Sequence, residues 1–273
     1  MNREYGRLYM NKALIGIAAL AAVSGTSAFA ADLSALMKAP VMPPACVWCG
    51  SYIGGNAGWV GSANDNVTNA GADTGATGLG SFLAAGAIAE AVRSDVSGFV
   101  GGGQIGYNYQ PGPNWLIGVE ADLEGATAKS STFASFPGTA AFVPFSTSYN
   151  REFEWVSTFR MRFGVTQGSF LLYGTAGFAV GETQIGNQFI CAACVPPASA
   201  VASVPHTTTG WTAGAGIEWL FGEHWSFKAE YLFIDLGNNS SAITYAYGAN
   251  VSTLTSNVHD TMNIARGGIN FHF

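Results

Sequence analysis

Eight charged residues occupy alternating positions in segments that otherwise have the pattern of β-strands. Strand residues two apart share a face, so these charges are expected to face one common side of a sheet. An isolated buried ion costs several kcal/mol, and charges on an enclosed face must therefore be paired. Two kinds of chemistry stay open: a closed salt-bridge network, or a narrow pathway in which excess acid favours cations. The residues are Glu120, Asp122, Arg160, Arg162, Glu218, Lys228, Glu230 and Arg266.

Four cysteines form two Cys-x-x-Cys pairs, Cys46 with Cys49 and Cys191 with Cys194. Such pairs can hold zinc. The strands predicted below place the two pairs at opposite ends of a barrel, separated by a bilayer core of about 30 Å. This separation excludes a shared metal and a disulfide between the pairs. We predict two local disulfides formed in an oxidising compartment; no thioredoxin-like context supports a redox-active pair.

Two further motifs raise the question of a cofactor or an enzyme. The run Gly101 to Gly106 matches the dinucleotide fingerprint, but the chain continues as a strand instead of opening a helix. His206 and His259 lie at the margins of predicted external loops, which leaves a loop-borne haem or metal site as a weaker alternative. No serine follows either histidine at close spacing, which disfavours a hydrolase. We therefore predict no enzyme, no cofactor and no metal.

Eight antiparallel strands are predicted to position these residues. The alternation is clearest at 152–165, where Trp155 shares an apolar face with Phe153, and Glu152 and Glu154 fall on the charged face. A period of two over this length indicates strands. Short and long connectors alternate, which is typical of an up-and-down transmembrane barrel with short periplasmic turns. The predicted strands are 51–61, 96–110, 115–125, 152–165, 170–182, 210–219, 225–236 and 261–273, and the four predicted long external loops are 62–95, 126–151, 183–209 and 237–260.

The apolar face of these strands is predicted to point outward, to lipid. Eight strands enclose an interior only just wide enough for side chains. The many Phe, Trp and Tyr residues would crowd that interior, whereas glycines and a few charges would fill it. A soluble β-sandwich, with the apolar face as its core, is the alternative. Tryptophans near strand ends predict an aromatic girdle at the membrane interfaces: Trp59, Trp115, Trp155, Trp211, Trp219 and Trp225.

Both ends of the chain carry features of export. Residues 1–30 have basic residues, a short apolar core and small residues before a cut after Ala30, as in a secretory signal peptide. We predict a signal peptide at 1–30, a Pro-containing periplasmic leader at 31–50 and one barrel domain at 51–273. The last strand ends on an aromatic residue, and its outward face is predicted to act as the assembly signal: Phe273, Phe271 and Ile269.

The charge content also favours a membrane protein. Charged residues make up 10% of the chain, well below the usual quarter or so. Residues 1–30 carry three basic residues and one acidic residue, so their removal takes the formal charge from −6 to −8. An acidic chain argues against nucleic acid as a partner. The predicted location is the bacterial outer membrane.

Five segments resemble one family of membrane proteins. The segments 48–59, 101–125, 159–181, 210–237 and 263–273 are similar to the small alphaproteobacterial outer-membrane barrels called outer-membrane immunogenic proteins, or RopB-type, and labelled "porin family". The two Cys-x-x-Cys pairs depart from that family's pattern.

This resemblance implies an eight-stranded barrel with a structural and surface-antigen role. A narrow small-solute channel, weakly selective for cations, is the alternative that the family label suggests. The expected partners are outer-membrane lipid and lipopolysaccharide, the outer-membrane assembly machinery, and a host or surface ligand at the loops.

Overall fold

The computed structural model describes residues 46–273 except 64–65, 76–77, 141–142, 196 and 248. The predicted signal peptide and most of the predicted leader lie outside the described residues. Within the described part, no helix has the length and apolar character needed to cross a membrane. The elements are β1 (Gly50–Ser62), β2 (Asn66–Asp73), α1 (Leu79–Ala84), β3 (Ala91–Arg93), β4 (Ser97–Tyr109), β5 (Trp115–Phe136), β6 (Phe145–Gln167), β7 (Phe170–Cys191), β8 (Ala198–Leu220), β9 (Trp225–Tyr247) and β10 (Asn250–His272).

Eight of these strands close into an antiparallel barrel. Each of β4 to β9 pairs with the next strand along the chain, and β1 pairs with both β4 and β10. The turns at one end are short, at 110–114, 168–169 and 221–224. This arrangement confirms the predicted eight-stranded, up-and-down barrel. The two remaining strands extend the sheet at the other end, where β2 pairs with β10 and β3 pairs with β2.

The half of the barrel next to the short turns has apolar side chains outside and charges inside, as the alternation predicts. Phe163 and Leu172 are exposed on its outer surface, while Arg162 is fully buried within. Glycine makes room for this interior. A Cβ atom at Gly106 would collide with the ring of Tyr52. We call this part the membrane half; it comprises 50–62, 97–125, 155–180, 210–235 and 261–272.

The predicted long loops are the main correction. Three of them, 126–151, 183–209 and 237–260, are mostly strand, because β5 to β10 each continue well past their predicted ends. Only the first predicted loop, 62–95, folds as separate short elements, β2, α1 and β3. We call the described residues of 66–93, 126–154, 181–209 and 236–260 the distal lobe.

The distal lobe consists of two sheets with an apolar core. The pairing of β8 with β9 begins at Leu220–Ser226 and ends at Trp211–Asp235. Beyond this point β8 continues in a sheet with β5, β6 and β7, whereas β9 continues with β10, β2 and β3. The buried side chains of the core come from both sheets, from α1 and from the segment between α1 and β3: Leu79, Ile88, Phe145, Phe189, Ile243 and Leu254.

Two strands change phase where the membrane half meets the distal lobe. In β6 the ladder shifts at Glu154. Even-numbered residues face inward in the membrane half, from Val156 onward, whereas odd-numbered residues face inward in the distal lobe, up to Phe153. In β9 the same change occurs at Gly237, which has a positive φ of 79°. A one-residue bulge moves every later side chain to the other face. The bulges thus turn apolar side chains inward beyond the membrane.

Candidate functional site

The lumen of the membrane half brings all eight predicted charged residues together. Glu120 and Asp122 lie on β5, Arg160 and Arg162 on β6, Glu218 on β8, Lys228 and Glu230 on β9, and Arg266 on β10. Strand register places opposite charges directly across from each other: Glu120 faces Arg160, Glu218 faces Lys228, and Glu230 faces Arg266. All eight side chains are buried.

Arg160 is one centre of this network. Its Nη2 donates to Glu120 Oε1 at 2.5 Å and to Asp122 Oδ2 at 2.8 Å, while Nη1 donates to Glu230 Oε1 at 2.9 Å. These acceptors come from β5 and β9, which are not neighbours in the barrel. Arg160 therefore links opposite walls of the lumen.

Arg266 is the second centre. It donates to Glu230 Oε2 through Nη2 at 2.6 Å and through Nε at 2.9 Å, so one carboxylate oxygen accepts both bonds. It also contacts Asp122 Oδ2 at 2.9 Å and the carboxylate of Glu124. Lys228 donates to Glu120 Oε1 at 2.9 Å between the two centres. The network has five carboxylates and four basic groups, so its charges nearly balance.

Tyr52 and Arg162 extend the network toward the short turns. The Tyr52 hydroxyl donates to Glu120 Oε2 at 2.6 Å, and Arg162 Nη2 donates to Glu218 Oε2 at 2.6 Å. The Arg162 guanidinium also lies over the ring of Tyr173, 4.0 Å from its centroid. Such cation–π contacts strengthen when they are desolvated. Tyr52 and Tyr173 were missed from the sequence, because their strands are glycine-rich and ambiguous in facing.

Buried apolar clusters lie at both ends of the charged lumen. Near the short turns, Trp48 is buried and packs with Leu116, Leu171, Tyr173 and Leu220. Its indole donates to the Gly168 carbonyl at 3.2 Å. At the other end an apolar layer separates the network from the distal lobe, and we call it the upper layer: Val60, Val96, Val100, Ala128, Phe153, Val156, Ala179, Leu232, Ile234, Leu236, Met262 and Ile264.

Comparison with known proteins agrees with this architecture. Residues 16–258 match the family model described as an outer membrane protein beta-barrel domain. The chain belongs to this family. It is 31% identical to the 31 kDa outer-membrane immunogenic protein of Brucella melitensis biotype 1, over 94% of this chain and 98% of that one. It is 29% identical to the 22 kDa outer membrane protein of Rhizobium leguminosarum bv. viciae, over 49% of this chain and 52% of that one.

Solved outer-membrane barrels resemble the chain more distantly. Outer membrane protein OprG of Pseudomonas aeruginosa has a TM-score of 0.42 and 14% identity, with 82% of this chain and 97% of that chain covered. The outer membrane protease OmpT of Escherichia coli has the same TM-score, 11% identity and the same coverage. The family match and the Brucella relative, not these distant structures, show that the protein is an outer-membrane barrel. Outer-membrane barrels as a rule place their short turns in the periplasm.

The six predicted girdle tryptophans lie at the two edges of this barrel's apolar surface. Five are about half exposed, at 46–51%. Trp155 is less exposed, and its indole donates to Glu182 Oε2 at 2.9 Å. One edge, toward the distal lobe, carries Trp59, Trp155 and Trp211; the other carries Trp115, Trp219 and Trp225.

The C-terminal residues lie at the periplasmic edge of the barrel. Ile269 and Phe273 are exposed on its outer surface. Phe271 packs edge-on against both Trp225 and Phe273, with ring centroids 5.1 and 5.3 Å apart. Their role as an assembly signal stays a prediction.

Two glutamates that share the predicted charged face do not enter the lumen. The bulge at Glu154 leaves this residue exposed and turns Glu152 outward, where it pairs with Lys129 at 3.0 Å. The same phase change turns Arg151 and Phe153 inward. Sequence periodicity could not reveal this, because the alternation continues through the bulge.

The cysteines pair locally, as predicted, in Cys46–Cys49 and Cys191–Cys194. The first pair flanks Trp48, and the second lies at the turn between β7 and β8. Across the described residues, no group of three or more His, Cys, Asp or Glu side chains is placed to hold a metal ion. His259 contacts Asp235 at 3.2 Å and Asn238 at 2.7 Å.

Proposed function

We propose that this protein is a structural barrel of the outer membrane, closed across its section, which presents the distal lobe at the cell surface as an antigen and interaction platform. The observation that carries this proposal is the pair of buried apolar clusters on either side of the charge network. The charge network lies between the Trp48 cluster on the periplasmic side and the upper layer on the other. A permeating ion would have to cross both apolar layers as well as break ion pairs.

The salt bridges are better suited to filling the lumen and fixing the strand register than to conducting ions. Each charge in the network would cost several kcal/mol if left unpaired, so the wrong strand register is strongly disfavoured. Apolar constrictions exclude water and block ions even where a geometric path exists. We therefore assign the network the role of fixing one closed arrangement of eight strands, and we propose no catalytic role.

A narrow cation-selective channel is the second candidate. One observation favours it: five carboxylates face four basic groups, and Glu124 Oε2 is buried with no hydrogen-bond partner among the described residues. Such an acidic excess would favour cations over anions if the apolar layers opened.

Conductance in planar bilayers separates the two candidates. The protein, Arg266→Ala and Lys129→Ala would be compared at equal, verified insertion. Lys129 is the matched control because its ion pair with Glu152 is exposed and lies outside the lumen. A closed barrel predicts negligible conductance for all three. Steady cation-selective openings in the unmodified protein, increased by Arg266→Ala alone, would establish the channel instead.

Surface presentation has its own test. The Brucella relative is named an outer-membrane immunogenic protein, and a two-sheet lobe beyond the membrane is a suitable antigen. Antibodies raised against the folded protein should label intact cells, and grafting an epitope tag into the turn between β9 and β10 should make that tag accessible. If a tag in one of the short turns were accessible on intact cells instead, the barrel would have the opposite orientation to the one proposed. The expected partners remain lipid and lipopolysaccharide, the assembly machinery at the C-terminal strand, and a host or surface ligand at the lobe.

A further inference from the structure

The outer face of the distal lobe carries a shallow groove across β6, β7 and β8, which we call the side groove. Its volume is about 230 Å³. Strand register explains its shape. Asn150 on β6, Gly186 on β7 and Ser203 on β8 lie side by side. Gly186 has no side chain, so the middle of the row is a depression. The side chains that line the groove include those of Asn150, Glu152, Gln184, Gln188, Val201 and Ser203.

The lining suits a ligand rich in hydroxyl groups. Asn150 Oδ1 accepts from Ser131 at 2.7 Å, and Gln188 Oε1 accepts from Ser148 at 3.3 Å. These bonds fix the two amides and leave their NH₂ groups to donate. Sugar hydroxyls can accept such bonds and also donate to the Ser203 oxygen. Val201, which is 68% exposed, offers an apolar edge for the C–H face of a sugar ring.

The size and charge of the side groove narrow the ligand class. Three neighbouring strands and the four residue steps from Gln184 to Gln188 span about 10 by 13 Å, the dimensions of one or two sugar rings. Among the described residues that line the groove none is basic. Phosphate recognition normally needs such groups. The nearby Lys129 is paired with Glu152 at 3.0 Å.

The position of the groove selects the source of the sugar. On the same strand, Glu182 accepts from the interfacial Trp155 indole at 2.9 Å. Gln184 and Gln188 lie two and six residues farther out, which is about 7 and 20 Å along a strand. The groove lies on the side wall of the lobe, because Gln184, Gly186 and Gln188 are on the outer face of β7. At this height, the outer leaflet of an outer membrane consists of the sugars of lipopolysaccharide.

We propose that the side groove binds a saccharide of the lipopolysaccharide core. This inference rests on the proposed function and on the same orientation of the barrel, and it gives the expected lipopolysaccharide partner a site. The distal lobe would then bind lipopolysaccharide molecules beside it in the same membrane. Amide groups would hold the sugar by hydrogen bonds, without ion pairs.

The test compares two glycines on the outer face of β7. Gly186→Val fills the groove, and its Cβ would meet Asn150 Cβ at 3.5 Å, an ordinary contact. Gly174→Val is the matched control on the lipid-facing part of the strand, where its Cβ would lie 3.8 Å from the Gly214 carbonyl. Asn150→Ala with Gln188→Ala removes two donors without adding bulk. Folding of each purified variant is checked by its heat-dependent gel mobility.

Mild acid splits rough lipopolysaccharide into core oligosaccharide and lipid A, and each is titrated calorimetrically into the detergent-solubilised proteins. We expect saturable binding of core oligosaccharide to the unmodified protein and Gly174→Val, and a loss of at least about tenfold in Gly186→Val and in the double variant. Absent binding, equal binding by all variants, or binding to lipid A alone would overturn the proposal. Should Gly186→Val not fold, the double variant decides. Conductance is measured separately, so a failed saccharide test leaves the closed-barrel proposal standing.

Discussion

Arg151 Nη2 and Asp260 Oδ1 lie 2.6 Å apart at the base of the distal lobe, and both side chains are buried. Arg151 belongs to β6 and Asp260 to β10, so the pair joins the two sheets near the level at which β8 and β9 separate. Thr183 and Asn239 also donate to Asp260, at 3.0 and 2.5 Å. The two sheets of the lobe are thus tied together by a polar cluster above the upper layer.

Removing Arg151 should loosen the distal lobe more than the membrane half. Arg151→Ala leaves the Asp260 carboxylate buried without its basic partner, which typically costs about 3–5 kcal/mol. Lys129→Ala removes an exposed pair on adjacent strands and should cost about 0–1 kcal/mol. Hydrogen exchange should show faster exchange in the lobe for Arg151→Ala and an unchanged membrane half. Equal effects of the two variants would contradict this role.

Trp48 should stabilise the barrel from its periplasmic mouth. Trp48→Ala removes a buried ring from between Leu116 and Leu171, and large-to-small changes of this kind cost about 3–5 kcal/mol. Trp115→Ala is the control, because Trp115 is about half exposed on the outer surface. Urea titration in detergent should give a clearly lower midpoint for Trp48→Ala. A larger loss for Trp115→Ala would show that Trp48 does not seal the lumen.

The docking of α1 should depend on pH through Asp73. Burial acts to raise the pKa of this carboxyl, but hydrogen bonds from Ser252, Gly80 and Ser81 outweigh burial and lower the pKa below its usual value of 3.8. A lowered folded-state pKa contributes stability that is present above the unfolded pKa and is lost as pH falls through the folded pKa. The contribution is small because Asp73 is only partly buried and solvent screens its interactions.

The measurement for Asp73 is limited proteolysis of the lobe by an acid-active protease between pH 5 and pH 2. Cleavage near 78–90 should rise below about pH 4 in the unmodified protein. Asp73→Asn should be cleaved more readily at pH 5 and should show little further change on acidification. If Asp73→Asn had the same cleavage profile against pH as the unmodified protein, Asp73 would not be the cause of the pH dependence.

Deleting Glu154 should damage the lobe and spare the membrane half. The deletion removes the bulge in β6, so Arg151 and Phe153 would turn outward and Glu152 inward. Glu154→Ala keeps the bulge and should fold normally, since Glu154 is exposed. Heat-dependent gel mobility should report a formed barrel in both proteins, while antibodies against the folded lobe should lose binding to the deletion alone. Retained binding would mean that the strand can absorb the missing residue.

Sequence periodicity predicted the membrane half in detail. Within each strand, side chains alternate by simple geometry, so the inward position of Glu120, Arg160 and Lys228 follows from local spacing. The requirement that enclosed charges be paired is equally local in origin. The outward apolar face follows because eight strands cannot enclose so many large rings.

Other features depended on which strands meet across space. The contacts of Arg160 with both β5 and β9 follow from barrel closure and stagger, and Trp48 seals the lumen only because the chain folds back beneath the short turns. Residues in these contacts are far apart in sequence, and their spacing carries no sign of the contact.

The distal lobe was decided by the tertiary structure alone. Its Ser-, Thr- and Asn-rich segments have the composition of loops, and they become strands because two sheets can bury Phe145, Phe189 and Leu254 against each other. The bulges at Glu154 and Gly237 have no local signature strong enough to announce a change of phase. The sequence by itself thus determined a membrane barrel with charges inside and apolar side chains outside. Packing between distant strands decided where that pattern inverts, because a one-residue shift costs little locally but reverses every side chain beyond it.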